Sequence, residues 1–323
     1  MIIDILALDG VFDTGLAAVQ DTFTTAAELG REQHGLSAPF LTRVVGVRRG
    51  VTTANGLKVP TQMASTLSRP DVIVMPALGT KTPQALVGAL GHRDVAGAGT
   101  LLRDRQAEGV VVATACTGTF VLAESGLLDG RKATTSWWLG PFFRARYPKV
   151  ALDDGRMVVQ SDDVVTAGAA LAHFDLALWL VRRISPALAT VTARYLMIDP
   201  RSSQAAYAIP DHLTHADAVV ERFERWAREN LFNGFSLNDA ARSIGASPRT
   251  LARRLRAVLG KSPLSYFQDL RVARAVHLLQ TTGESVERIA SEVGYSDAVT
   301  LRNLLRRRLG RSASQLRKLE GLS

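Results

Sequence analysis

Two segments near the C-terminal end of the chain repeat one pattern, and that repeat constrains the fold more than any bulk property. In the first, Ser236 stands where a helix N-cap belongs, and Leu237, Ala240, Ala241 and Ile244 mark one apolar side. Gly245-Ala246-Ser247 then makes a turn before a helix from Pro248 to about Leu259. In the second, Ser285 caps, Val286, Ile289, Ala290 and Val293 are apolar, Gly294-Tyr295-Ser296 turns, and a helix runs to about Leu309. The copies align at an offset of 49 residues through Ala241/Ala290, Gly245/Gly294 and Ser247/Ser296, and at 50 from Leu251/Leu301 to Gly260/Gly310. One residue has therefore been added at the start of the second long helix. Each glycine suits a turn that needs positive φ, and each of Ser247 and Ser296 is expected to cap the helix after it. The spacing predicts two helix-turn-helix units, 236–259 and 285–309. An amphipathic helix over 264–281 joins them, with Leu264, Phe267, Leu270, Ala273, Val276, His277 and Leu278 periodic. Such a helix spans about 27 Å, comparable with the roughly 34 Å repeat of the DNA major groove.

Charge points the same way. The formal net charge is +9, and residues 214–323 carry 19 Lys/Arg against 11 Asp/Glu, whereas residues 1–213 carry 20 against 19. Residues 247–261 and 302–318 contain no acid at all. A single basic amphipathic helix is usually a solvated face, and a basic patch also suits a membrane surface. Two related copies, each ending in an acid-free helix, fit a polyanionic duplex better. Residues early in such a helix meet base edges. Arg249, Arg253 and Arg254 in the first copy and Thr300, Arg302, Asn303 and Arg306 in the second are the expected base readers. Ser247, Thr250, Lys261, Ser296 and Arg307 complete the expected DNA-contacting set.

The first part of the chain follows a different rule. Ile2–Leu8, Val72–Met75, Val110–Ala115 and Val164–Ala167 read as strands apolar on both faces, and helices are expected over 15–29, 83–90, 94–107, 117–125 and 169–184. This alternation implies an α/β domain with a doubly wound, largely parallel, flavodoxin-like sheet over residues 1–198, followed by an all-α domain. Prolines and small polar residues make 199–213 a linker, and the helical domain is expected over 214–323. With Cys116 as the one cysteine, no intrachain disulfide can form. The acidic start, MIIDILALDG, does not read as a signal peptide, and no apolar run approaches the roughly 20 residues of a membrane span. A cytoplasmic protein without membrane association, metal or cofactor is the expectation.

Val110–Ala115 runs directly into Cys116-Thr117-Gly118 and a helix, the arrangement of a nucleophile elbow at a strand's C-terminal edge. Open α/β sheets bind ligands at that edge. Gly79, Cys116, Thr117, Gly118, Ser136 and Trp137 are expected to converge there, with Asp13 after the first strand and His173 at the start of a helix. Alternatives remain for each: a helix cap for Asp13, a structural or solvated role for His173, core or interface burial for the tryptophans, and a small buried residue for Cys116.

Two resemblances follow from these motifs. Residues 214–323 resemble the AraC/XylS family of bacterial regulators through Ser247-Pro248-Arg249-Thr250-Leu251 and Gly260-Lys261-Ser262-Pro263 with Tyr266. The match continues through Arg271-Val272-Ala273-Arg274-Ala275 and the segment Ile289-Ala290 to Val293-Gly294-Tyr295. The chain departs from that family at Leu301 and Leu305, where phenylalanines are common, and at Ser312-Ala313 and Leu316, where the usual element is Ser-Pro plus Tyr. Residues 1–190 resemble class I glutamine amidotransferase-like (PfpI-type) domains, which are often fused to such DNA-binding modules. In regulators of this type Ala133-Thr134-Thr135 is commonly followed by His, and here Ser136 takes that place. A serine cannot act as the base that activates a thiolate, so no catalytic residue is expected. The resemblances imply a homodimeric transcription regulator that binds promoter DNA and a small-molecule effector, with RNA polymerase as a further candidate partner. A cysteine hydrolase or amidase fused to a DNA-binding module is the alternative, and an adaptor a third.

Overall fold

The computed structural model describes residues 1–34, 39–199, 201, 203–204, 207, 209, 213 and 215–318. The chain forms two compact units, Met1–Gln204 and Ala205–Ser323. Much of the segment read as a linker, 199–213, lies outside the described residues.

The first unit begins with β1 (Ile2–Leu6), α1 (Asp13–His34), β2 (Leu41–Gly46), a small hairpin of β3 (Val51–Thr52) and β4 (Lys58–Val59), β5 (Gln62–Met63) and β6 (Val72–Met75). It continues through α2 (Pro83–Leu90), α3 (Arg93–Ala107), β7 (Val111–Ala115), α4 (Gly118–Glu124), β8 (Lys132–Ala133) and α5 (Gly140–Arg146). Then come β9 (Ala151–Leu152), β10 (Val158–Ser161), β11 (Val164–Ala167), α6 (Ala172–Ile184) and α7 (Pro186–Tyr195). The main sheet has seven strands in the order β10-β11-β7-β6-β1-β2-β5, all parallel except β10, which runs antiparallel to β11. Alternate residues of the central strands feed two cores. Ile3, Ile5, Val72, Val74, Ala113 and Val165 pack with α1 and α6, while Leu6, Ile73, Met75, Val112 and Val164 pack with side chains of α2, α3 and α4. The expected doubly wound, largely parallel sheet is the one found. Strand β2 went unread because Thr42-Arg43 interrupts its apolar run. Arg43 is tolerated because its register partner Asp4 receives its Nε at 2.6 Å. Burial raises the Asp4 carboxyl above its usual range, and Arg43 draws it part of the way back.

The second unit is helical: α8 (Ala218–Glu229), α9 (Leu237–Ser243), α10 (Pro248–Leu259), α11 (Pro263–Thr281), α12 (Val286–Glu292), α13 (Ala298–Leu309) and α14 (Ala313–Lys318). Each helix-turn-helix has its own core. Ala240, Ala241, Leu251, Leu255 and Leu259 pack with α8 in the first, and Ile289, Ala290, Leu301, Leu305 and Leu316 pack in the second. The leucines at the family's aromatic places are thus fully used as core. Two expectations need correction. The cap of α13 is Asp297, whose carboxylate accepts the Thr300 amide at 2.7 Å; Ser296 stands one residue too early, because the inserted residue moves the helix start. The apolar seam of α11 is also rotated: Leu264, Ala273 and His277 are exposed, and Tyr266, Val272, Ala275 and Leu279 are buried. The helix serves two cores in succession, Tyr266, Phe267 and Leu270 the first and Val272, Ala275, Leu278 and Leu279 the second, so no single stripe describes it.

Candidate functional site

Ser247 caps α10 by accepting the Thr250 amide at 3.1 Å, and Pro248 follows at the first helical position, where its missing N–H is harmless. The helix buries Leu251, Leu255 and Leu259 and leaves Arg249, Arg253 and Arg256 exposed at i, i+4 and i+7. Among the described residues these three arginines have no acidic partner. Other members of the expected set are engaged. Arg254 lies 3.4 Å from Asp217, Lys261 donates to Asp269 at 2.9 Å, and Arg302 of α13 donates to Glu287 at 2.6 Å. Thr300 is held by Asp297 through both its amide and its hydroxyl. Ser296, Asn303, Arg306 and Arg307 are exposed.

The two motifs are bound to each other through α11. Arg271 is buried, donates from Nε to the Leu231 carbonyl at 2.9 Å and from a terminal nitrogen to the Asn233 carbonyl at 2.5 Å. Its guanidinium also lies 4.8 Å from the Phe267 ring centre and 5.0 Å from that of Tyr295, one ring in each motif's core. Gly294, at φ +82, leaves the space that this guanidinium occupies: a Cβ there would stand 2.4 Å from it. Asp269 adds a second link, taking Lys261 from the first motif and Arg308 of α13 at 3.0 Å.

In the first unit, loops from the C-terminal ends of β1 and β6 are stitched together. Phe12 donates to Ala77 and Gly79 to Gly10, each at 2.7 Å. Gly79 is required by close approach, since a Cβ would meet that of Ala54 at 2.1 Å. Cys116 follows β7 at φ +57, a left-handed conformation costly to a residue with a Cβ, and its amide donates to the Ala167 carbonyl at 3.0 Å. Gly118 must also be glycine, because a Cβ would lie 2.0 Å from the Thr114 hydroxyl. The structure brings Ser136 onto the thiol, Oγ to Sγ 2.9 Å, while the Thr135 hydroxyl donates to the Cys116 carbonyl and that of Thr117 to Leu78. Burial pushes the Cys116 thiol up, and the contacts from Ser136 and Thr117 only partly oppose this. Burial therefore favours the neutral thiol over the thiolate. Trp137 is half-buried beside this edge and meets Trp138 edge to face.

His173 and Asp13 take other roles. His173 is fully buried, donates from Nδ1 to the Ala170 carbonyl at 2.5 Å and accepts the Ala77 amide on Nε2 at 3.0 Å. With both nitrogens occupied it holds the loop after β6. Burial lowers its pKa to about 4. Asp13 accepts the Thr53 hydroxyl at 2.5 Å and the Asn55 amide at 3.2 Å, fixing the β3–β4 hairpin over the loops. Sequence reasoning missed Gln204. Its side-chain amide is buried and donates to the Thr134 hydroxyl at 3.1 Å, the Thr135 carbonyl at 2.8 Å and the Arg156 carbonyl at 3.2 Å. A polar residue in a stretch without periodicity gives no signal of such a place. Among the described residues no helix is long and apolar enough to cross a membrane, and no cluster of metal-ligating side chains occurs.

Comparison with known proteins accords with these geometries. Residues 6–183 match the DJ-1/PfpI family and residues 240–319 a helix-turn-helix domain. The HTH-type transcriptional regulator GlxA of Rhizobium meliloti is 27% identical over 71% of this chain and 71% of its own length. CdhR of Pseudomonas aeruginosa, also an HTH-type transcriptional regulator, is 28% identical over 66% of this chain and 65% of its own. An AraC family transcriptional regulator from Pseudomonas putida shares the fold, with a TM-score of 0.50 and 21% identity over 60% of this chain and 98% of that one. The chain belongs to the DJ-1/PfpI family and carries a helix-turn-helix domain after it, and both GlxA and CdhR, to which it is similar, are HTH-type transcriptional regulators.

Proposed function

We propose that the chain regulates promoters as a cytoplasmic homodimer, reading DNA through α10 and α13 and binding a small-molecule effector at the Cys116–Ser136 edge without turning it over. The observation that carries this reading is the exposed, acid-free arginine face of α10, set in one unit with a second capped helix of the same design. Arg249 and Arg253 serve as base readers, while Arg306, expected to read a base, stands in the last turn of α13 and with Arg307 serves as a grip on phosphates. Affinity of the full chain for a promoter fragment, followed by fluorescence anisotropy, falls steeply as salt rises. Arg253→Ala lowers affinity for the preferred site by about 1–3 kcal/mol and leaves binding to unrelated duplex nearly unchanged. An equal loss on every sequence would reassign Arg253 to a phosphate, and salt-insensitive binding would end the reading.

The non-catalytic half of the proposal rests on the raised thiol and on the serine where a base belongs. Cys116→Ala retains promoter affinity and the response of that affinity to effector. Loss of the response together with a measurable hydrolytic activity of the parent chain would favour the hydrolase.

A further inference from the structure

The two reading helices do not present the same chemistry. Their N-caps are Ser247 and Asp297 and their left-handed C-caps Gly260 and Gly310, so they superpose with an offset of 50. Arg249 then corresponds to Val299, Arg253 to Asn303 and Arg256 to Arg306. Val299 is 61% exposed, a β-branched apolar residue standing in solvent on a helix that otherwise keeps its apolar groups inside. Its charged and polar neighbours are committed elsewhere: Arg302 to Glu287 and Thr300 to Asp297. Among the described residues, the groups left uncommitted on the first two turns of α13 are Val299 and Asn303, four residues apart and hence on one face.

We propose that Val299 and Asn303 make the second half of the DNA site a thymine- and adenine-reading half, with Val299 against a thymine methyl and Asn303 paired to an adenine edge, while Arg249 and Arg253 read guanines in the first half. The inference rests on the DNA-binding reading and adds a residue, Val299, that basic patterning cannot find. The physical basis is direct. In the major groove a thymine is marked by an apolar C5-methyl and an adenine by an acceptor and donor that suit an amide, whereas guanine offers two acceptors that suit a guanidinium. The rise between residues 299 and 303 is about 6 Å, so the two side chains meet base pairs one or two steps apart. An exposed valine gains nothing from water, and a methyl in the groove gives it an apolar partner.

The test uses the full chain and a duplex selected by it from a random pool. Thymines in each half are replaced in turn by deoxyuridine, which removes only the 5-methyl group. The wild-type chain is expected to lose about fourfold in affinity on substitution in the half read by α13, the worth of one buried methyl, and little in the other half. Val299→Ala binds thymine and uracil sites alike, at the weaker level, and Val299→Thr, which keeps a methyl, restores the difference. Equal affinity of the wild-type chain for both duplexes, with salt-sensitive site preference retained, overturns this inference and leaves the regulator standing. Absence of any site preference overturns both.

Discussion

Arg271→Ala is expected to destabilise the helical unit by about 3–5 kcal/mol, from two lost charge-assisted hydrogen bonds and the stacking between two rings. Two carbonyls, those of Leu231 and Asn233, lose this donor, and the Phe267 and Tyr295 rings lose the guanidinium between them. For a unit of this size that corresponds to a melting point lower by more than about 12 °C. Calorimetry of the full chain reads it as a shift of one transition, with that of the α/β unit unmoved. Promoter affinity falls as well, because the same residue holds the two motifs against each other. A shift below about 3 °C would show that the two cores support themselves without it. Arg271→Lys rescues little, since an ammonium cannot fork to two carbonyls while stacking on two rings.

Mild acid should weaken the other unit. The folded pKa of His173, about 4, lies below the ordinary 6.5. Above pH 6.5 the ring is neutral whether folded or unfolded, and its contribution is complete. Between pH 6.5 and 4 the unfolded chain takes up a proton that the folded chain refuses, so stability drops as pH falls, by about 3 kcal/mol at the lower end. Below pH 4 the folded ring protonates too, and Nε2 no longer accepts the Ala77 amide. Asp4 and Asp175, whose carboxyls burial raises, act in the opposite sense. The quantity to measure is therefore the unfolding midpoint of the wild-type chain against His173→Gln from pH 7.5 to 4.5. A difference that does not change across that range would mean that the folded ring takes up its proton at the same pH as the unfolded one.

Much of this architecture was legible in the sequence because the physics is local. The apolar runs at β6, β7 and β11 are buried on both faces, and the serine caps of α9, α10 and α12 hold as their spacing suggests. What escaped depends on partners distant in the chain. Strand β2 is acceptable only because Asp4 meets Arg43 across 39 residues. His173 looks available until the Ala77 amide, 96 residues away, is placed on it. Arg302, Arg254 and Lys261 look like free cations until Glu287, Asp217 and Asp269 are found beside them. Val299 carries no signal in the sequence, and only the fold shows it standing in water.

Gln204 gives the α/β unit a mechanical property. Its side chain is clamped by Thr134 and Thr135, immediately before the serine that touches the thiol. Any displacement of Ser136 from Cys116 would therefore pull on the Thr135 backbone, and so on the buried amide that it holds.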